Sequence, residues 1–309
     1  MWDSLGGKLA ERWAAVSGPA LTFWLGGLLV WLAARDGLRS LDIATAWLTR
    51  RSGPVQWMFV LAAVAGIAAS GLLVKQLTRP ALALLEGYWP GWLDAPRRRL
   101  VGRVSRRADA DAERFQELAG PVHDGTATAG QRAEFAAVDG RLRRLPTRDR
   151  LLPTRVGNVL RAAETRPIDK YGLDPVVAWP HLWLVFPEPT RQELTAARRS
   201  LDLSVAAAVW GVLFVAFAPL AWWAAPAGLA VAAAAGWGWV PARAAAYADL
   251  VEASVDLHRP ALYASLRWPP PRHPDHEREQ GRLLTTYLRR GLHGTAPAFQ
   301  PPSAPDVGE

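Results

Sequence analysis

Three long blocks of the chain carry no charged residue: Ala14–Ala34, Ser52–Val74 and Leu203–Ala242. A helix needs roughly 20 mostly apolar residues to cross roughly 30 Å of hydrocarbon, and the first two blocks meet that length. The third block runs to 40 residues. As one helix it would extend about 60 Å at about 1.5 Å per residue, so it must fold back on itself. Trp222 and Trp223 suit an interface, and Pro226 and Gly228 break a helix. The turn is therefore expected within WWAAPAG, between spans near 203–223 and 227–244. A cleaved signal peptide is the other reading of the first block. That run is longer than a typical signal core, and Leu32-Ala33-Ala34 is a poor cleavage site.

The polar stretches between the blocks also read as helix. Trp2, Leu5, Leu9 and Trp13 recur at helical spacing, which predicts an interfacial helix feeding the first span. Pro80–Leu93 carries Leu82, Leu85, Tyr88, Trp89 and Trp92, the pattern of an amphipathic helix lying along an interface. Polar helices follow near 95–119 and 131–144, with a Gly/Thr loop at 120–130 between them. Thr154 is placed to cap a helix over 155–164, and Asp174 followed by Pro175 to start another. Thr190 with Glu193 reads as a capping box opening a long helix into the third block. After the fourth span the helix continues over 244–258, with a kink at Pro260 and a stop at Pro269–Pro271. A last amphipathic piece near 277–291 precedes a Pro-rich tail expected to be disordered.

The pattern therefore predicts an all-α, multi-pass helical membrane protein with four transmembrane helices and an inserted cytoplasmic helical body. Its expected division is 1–75 for the interfacial helix and spans one and two, and 76–202 for the Arg-rich body. The hairpin of spans three and four takes 203–246, and 247–309 is a cytoplasmic helix with its tail. Composition agrees: the hydrophobic fraction is 50% while mean hydropathy is only +0.01, so apolar residues are concentrated in blocks. The 16 Trp suit bilayer interfaces.

Charge sets the expected orientation. The chain has 36 Lys+Arg against 28 Asp+Glu, a formal net charge of +8, and all but three of the basic residues are Arg. Lys8, Arg12, Lys75, Arg79, Arg191, Arg198, Arg199, Arg243 and Arg259 lie toward the side bearing both termini. Only Arg35, Arg39, Arg50 and Arg51 lie toward the other. The positive-inside rule then places both termini in the cytoplasm of a plasma-membrane protein.

Small residues at four-residue spacing, Gly18/Thr22/Gly26, Ala62/Gly66/Ser70 and Gly228/Ala232/Gly236, either let helix backbones approach in lipid or simply reflect an Ala-rich chain. No span carries an ionisable residue at its centre, which argues against a proton-coupled carrier or a charge-selective channel. The chain contains no cysteine, which excludes disulfides, thiolate metal sites and Cys nucleophiles.

Candidate chemistry is sparse. Arg97, Arg98, Arg99, Arg103, Arg106 and Arg107 form a basic cluster suited to anionic lipid headgroups. The alternative is a solvated face balanced by Asp109, Asp111, Glu113 and Glu117. A nucleic-acid interface is disfavoured, because no groove-reading or aromatic-interleaved motif accompanies the cluster. His273, Asp275, His276, Glu277 and Glu279 lack any metal-ligand spacing, so no metal site is expected. Asp249/Glu252 and Asp256/Arg259 share helix faces at three-residue spacing, as carboxylate pairs and ordinary ion pairs both do. His181, inside WPHLW, reads as a packed histidine. No nucleotide loop, nucleophile elbow or other catalytic signature is present, and no cofactor is expected.

The run LPTRVGNVLRAAETRPIDKYGLDPVVAWPHLW and the later YADLVEASVDLHRPALYASLRWPPP resemble uncharacterised multi-pass membrane proteins of GC-rich actinobacteria. The resemblance covers about half the chain and implies a similar layout, with no activity to carry over. It singles out Arg155, Asn158, Glu164, Tyr171, Asp174, Trp179, Trp183, Asp256 and Arg259 as positions of interest. The function expected is a non-catalytic, membrane-anchored scaffold or interaction subunit, with the bilayer and a protein partner or a second copy as its contacts. The alternatives are a membrane-bound enzyme using Glu164, Tyr171, Asp174, His181 or Asp256 at the cytoplasmic surface, or an accessory subunit of a transporter. The aromatic 175–186 segment discriminates: buried against 244–268 it is core, and exposed it is a docking surface.

Overall fold

The computed structural model describes residues 2–35, 37–291 and 297–299, with side chains from residue 18 onward. It is all-helical, with no strand among the described residues. The α-helices, in chain order, are α1 (Trp2–Ala33), α2 (Arg39–Thr49), α3 (Gly53–Glu86), α4 (Asp94–His123), α5 (Ala129–Leu142) and α6 (Arg155–Tyr171). Then come α7 (Pro175–Val185), α8 (Glu188–Phe214), α9 (Ala224–Ala233), α10 (Val240–Ser265) and α11 (Pro274–Arg290). Contacts divide the chain into two compact units, Met1–Leu84 with Ser200–Pro241, and Leu85–Arg199 with Ala242–Glu309.

The first unit holds the apolar helices. Two stretches, Gly53–His123 and Glu188–Phe217, contain a helix long and apolar enough to cross a membrane, and Gly18–Ala33 is a shorter apolar helix. Only 11% and 22% of the most apolar windows in the two long stretches are buried. The core helix of a water-soluble protein hides such a window, whereas here Leu25, Leu29, Trp57, Leu61, Val212 and Trp237 are all more than half exposed. An aromatic cluster joins α1 to α8 and the 3-10 turn after it, with Phe23 4.7 Å from Trp210 and 5.2 Å from Phe217. Trp24 donates its indole N–H to the Ser70 hydroxyl at 3.1 Å, tying α1 to α3.

The hairpin turn comes earlier than the sequence suggests. The α8 helix closes through a 3-10 turn at Val215–Phe217, and α9 starts at Ala224, so Pro226 and Gly228 lie inside α9. A proline in the first turn gives up an N–H that has no partner there anyway. Gly228 serves packing: a Cβ on it would sit 2.5 Å from the Gly211 carbonyl, and one on Gly211 2.6 Å from the Ala232 amide. Of the row Gly228/Ala232/Gly236, the first two therefore meet α8, and a Cβ on Gly236 would meet nothing within 4 Å. Residues Ala234–Trp239 then form a π-helical turn.

In the second unit α4 and α5 form an antiparallel pair, with Phe115 and Phe135 stacked at 4.6 Å. Thr128 and Gln131 make a reciprocal capping box at the start of α5. A separate core gathers α7, α10 and α11. Leu173, Ala178, Leu182, Phe186, Val255, Leu262, Tyr263, Trp268 and Leu284 are buried there, with Trp179 and Trp183 packed against them.

Several boundaries differ from the sequence-based expectation. Pro80 lies inside α3, which runs on to Glu86 and ends where Gly87 turns to φ +97°, so no separate interfacial helix starts at Pro80. α6 runs past the expected end at 164, with Pro167 inside it, and α10 includes Pro260, where the sequence placed a kink and not a stop. Each removes one backbone hydrogen bond, and each helix continues past it. Thr190 is not a cap: α8 begins at Glu188, and the Thr190 hydroxyl instead meets His258 Nε2 at 3.3 Å. Residues 39–49, between the first two apolar blocks, form α2. The expected tail lies outside the described residues except for 297–299, and so do the side chains of the 2–13 stripe.

Two glycines allow α6 and α11 to touch. Gly172 ends α6 at φ +70°, and a Cβ on it would collide with the Arg278 carbonyl; one on Gly281 would collide with the Tyr171 carbonyl. Gly172→Ala and Gly281→Ala should each cost about 1–3 kcal/mol in denaturant unfolding of the detergent-solubilised chain. Gly140→Ala on α5, which meets nothing within 4 Å, should be neutral or slightly stabilising.

Candidate functional site

The second unit is organised around α6. Thr154 caps it, accepting a hydrogen bond from the Gly157 amide at 3.0 Å. Asn158, 2% exposed, clamps the preceding chain. Its amide nitrogen donates to the Leu152 and Thr154 carbonyls at 2.8 Å each, and its amide oxygen accepts from the Leu152 N–H at 2.8 Å. A buried amide satisfied on both ends is a structural fastener. Arg155, one residue after the cap, is exposed.

Farther along α6, basic residues face acidic ones on α10. Glu252 accepts from Arg166 and, at 2.6 Å, from Lys170, which also reaches Asp256 at 3.2 Å. Burial alone would lower the Lys170 pKa, but its hydrogen bonds to Glu252 and Asp256 outweigh that and raise it. The Arg259 guanidinium lies 3.9 Å from the centre of the Tyr171 ring and pairs with Glu277 of α11 at 2.7 Å. Burial, then the neighbouring Asp256 carboxylate, pushes the Tyr171 hydroxyl pKa up. Asp174 caps α7 through the Val176 N–H at 3.0 Å and pairs with Arg289 at 2.9 Å. Tyr171, Asp256 and Arg259 thus belong to one interhelix network, while Asp174 joins α7 to α11.

A cavity of about 290 Å³ opens beside this network. Its polar wall is Glu86, Arg161, Glu164 and Arg198; Leu152, Leu160, Ala163, Trp179, Tyr247 and Val251 supply apolar and aromatic surface. Glu164 pairs with Arg161 at 3.3 Å, and Arg198 lies 5.8 Å from the Tyr247 ring centre. Burial holds the Glu86 carboxyl above its ordinary pKa; the Glu164 charge adds to that, and Arg198 opposes it. Of the sequence-selected residues, Glu164 and Trp179 line the cavity. Glu86, Arg161 and Arg198 were not singled out for chemistry, because only the fold brings the end of α3 and the interior of α8 to the face of α6.

The aromatic segment packs inward. Ala178, Leu182 and Phe186 are buried with Val251, Val255 and Leu262 of α10, and Trp183 lies on the same core. Its outward positions are Val176 and Leu184, 64% and 78% exposed. His181 is half-buried, and its Nδ1 has no hydrogen-bond partner.

The acidic residues after the basic cluster turn to other partners: Asp109 to Arg148, Asp111 to Arg141 at 2.6 Å, and Glu117 to Arg114 at 2.8 Å. Arg97 approaches Asp94 at 4.0 Å. Arg98, Arg99, Arg103, Arg106 and Arg107 are exposed on α4, and none of them is in a salt bridge among the described residues. His273 caps α11, taking a hydrogen bond from the His276 N–H at 3.2 Å, and no group of three potential metal ligands occurs among the described residues.

No family model, curated protein or solved structure matches the chain.

Two variants separate fastener from site. Asn158→Ala leaves buried backbone groups unsatisfied and should cost about 1–3 kcal/mol or more in denaturant unfolding. Glu86 behaves oppositely. Its pKa is raised on folding, so the native state holds the proton more tightly, and stability falls as pH rises from the ordinary value of 4.5 through the raised one. Glu86→Gln should therefore raise the Tm at neutral pH, with the gain vanishing below pH 4.5.

Proposed function

We propose that the chain is a four-span protein of the plasma membrane with both termini and the 76–202 body in the cytoplasm, acting as a non-catalytic scaffold or interaction subunit. The observation that supports this reading is the exposure of apolar side chains along α1, α3 and α8, a surface suited to lipid. The π-helical turn keeps the backbone of 224–242 helical throughout, as the bilayer demands of a fourth span. The layout is also the one implied by the resemblance to multi-pass actinobacterial proteins.

The non-catalytic part of the reading rests on how the polar groups are used. Tyr171, Asp174, Asp256 and Arg259 hold helices together, and an enzyme would need several such groups to converge in one pocket. Only Glu164 of the five candidates for catalysis lines the cavity. The unpaired Arg98, Arg99, Arg103, Arg106 and Arg107 suit anionic headgroups, each contributing about 1 kcal/mol near the surface. Partner contact falls to the outward Val176, Leu184 and Leu257, since Trp179 and Trp183 are held by the core.

The cysteine-free chain makes topology directly measurable. In intact cells an impermeant thiol reagent should label Ala44→Cys and leave Ala110→Cys untouched until the membrane is opened. Labelling of Ala110→Cys from outside overturns the orientation. For the scaffold role, in-cell crosslinking should capture a near-stoichiometric partner or second copy, lost in Leu184→Lys/Leu257→Lys with the fold retained. Retention of that partner in the double variant removes this surface from the proposal.

A further inference from the structure

The scaffold reading leaves the cavity beside α6 without a purpose. Its lining includes the buried Leu152 and Ala163 and two half-buried carboxylates, Glu86 and Glu164. The two guanidiniums there are already engaged, Arg161 with Glu164 and Arg198 over the Tyr247 ring. Glu86 also closes α3, a helix of 34 residues, whose last carbonyls add a partial negative charge at the same point. Trp179, Tyr247 and Tyr88 supply ring surface, and rings attract organic cations.

We propose that this cavity binds a small organic ammonium with an apolar body, with Glu86 and Glu164 as its counter-charges and Trp179 and Tyr247 as its wall. The cavity's about 290 Å³ lies at the small end of ligand pockets, which run from about 300 to 1,000 Å³, so the body is short. An anion is the poorer fit: both carboxylates would repel it, and it would have to draw Arg161 away from Glu164. Burial, and after it the Glu164 charge, raise the Glu86 pKa against the opposing pull of Arg198, so the carboxylate is incompletely compensated within the cavity. The ammonium can belong to a free amine or to the aminoethyl headgroup of a phospholipid. The inference goes beyond the scaffold reading. It is measured on the solubilised chain, so it stands or falls separately from the topology.

The test is calorimetric titration of the full chain in detergent with n-hexylammonium, and with n-hexanol as the uncharged counterpart. Saturable binding is expected for hexylammonium, with hexanol about tenfold weaker or more, a difference of about 1.4 kcal/mol. Glu86→Gln and Glu164→Gln should each weaken hexylammonium by a similar factor. Loss of fold is not the explanation for Glu86→Gln, which is expected to be at least as stable as the wild type. Val176→Trp, at an exposed position on the rim, should block binding sterically. Affinity should fall as pH drops through the raised Glu86 pKa. In bilayer discs of phosphatidylcholine, adding phosphatidylethanolamine should weaken the apparent hexylammonium affinity if the headgroup is the occupant and leave it unchanged if a soluble amine is. Equal affinity for hexanol, unchanged affinity in both glutamine variants, or no saturable binding overturns the proposal.

Discussion

Backbone touches backbone at both ends of α6, and the second unit is arranged around those two contacts. At the start of the helix, a Cβ on Gly157 would collide with the Glu86 carbonyl, and at its end Gly172 and Gly281 bring it against α11. Close approach of this kind fixes the distance between elements more tightly than side-chain packing, because no rotamer can yield to relieve it. The Asn158 clamp then holds the chain entering α6, and the Glu252 bridge holds its C-terminal part against α10.

That arrangement explains why the polar residues picked out by composition separate into two groups. The Arg166, Lys170, Glu252 and Asp256 cluster is partly buried, and each charge in it has an opposite partner. Removing one member would leave a desolvated charge behind, so the cluster is better understood as register between α6 and α10 than as stored stability. The exposed pairs of the α4–α5 hairpin are a different matter. Arg141 with Asp111, and Arg114 with Glu134, sit in high dielectric and add little apiece. Their consequence is to occupy the acids that would otherwise neutralise the Arg98–Arg107 stretch.

Helix content and several helix starts were legible from residue order, since caps and apolar blocks are local signals. Thr154 and Asp174 cap as expected, because each accepts from an amide only two or three residues away. The Thr190–Glu193 pair carried the same signature and failed, because its hydroxyl is taken by His258, 68 residues on. Pro80 read as the start of a new helix and lies within α3, since the loss of one hydrogen bond is local and the packing on either side is not. The hairpin turn was misplaced for a related reason. Gly228 looked like a breaker, whereas its role is to admit the Gly211 backbone, a partner 17 residues away that spacing alone does not reveal. The cavity was the least legible feature, being assembled from the ends and faces of five helices.

The cavity also bears on what the fold requires of residue 86. Packing against Gly157 uses the Glu86 backbone carbonyl, which any residue would provide. The helix stop is supplied by Gly87. The carboxylate itself is partly desolvated, faces the charge of Glu164, and is disfavoured in its ionised form as a result. A neutral side chain of the same shape would satisfy the fold better. A charge held at a position where it weakens the structure, inside a cavity with aromatic walls, is the arrangement found where a protein keeps a group for a ligand rather than for itself. Arg166, Lys170, Glu252 and Asp256 show the contrast, since each of them meets its counter-ion within the fold.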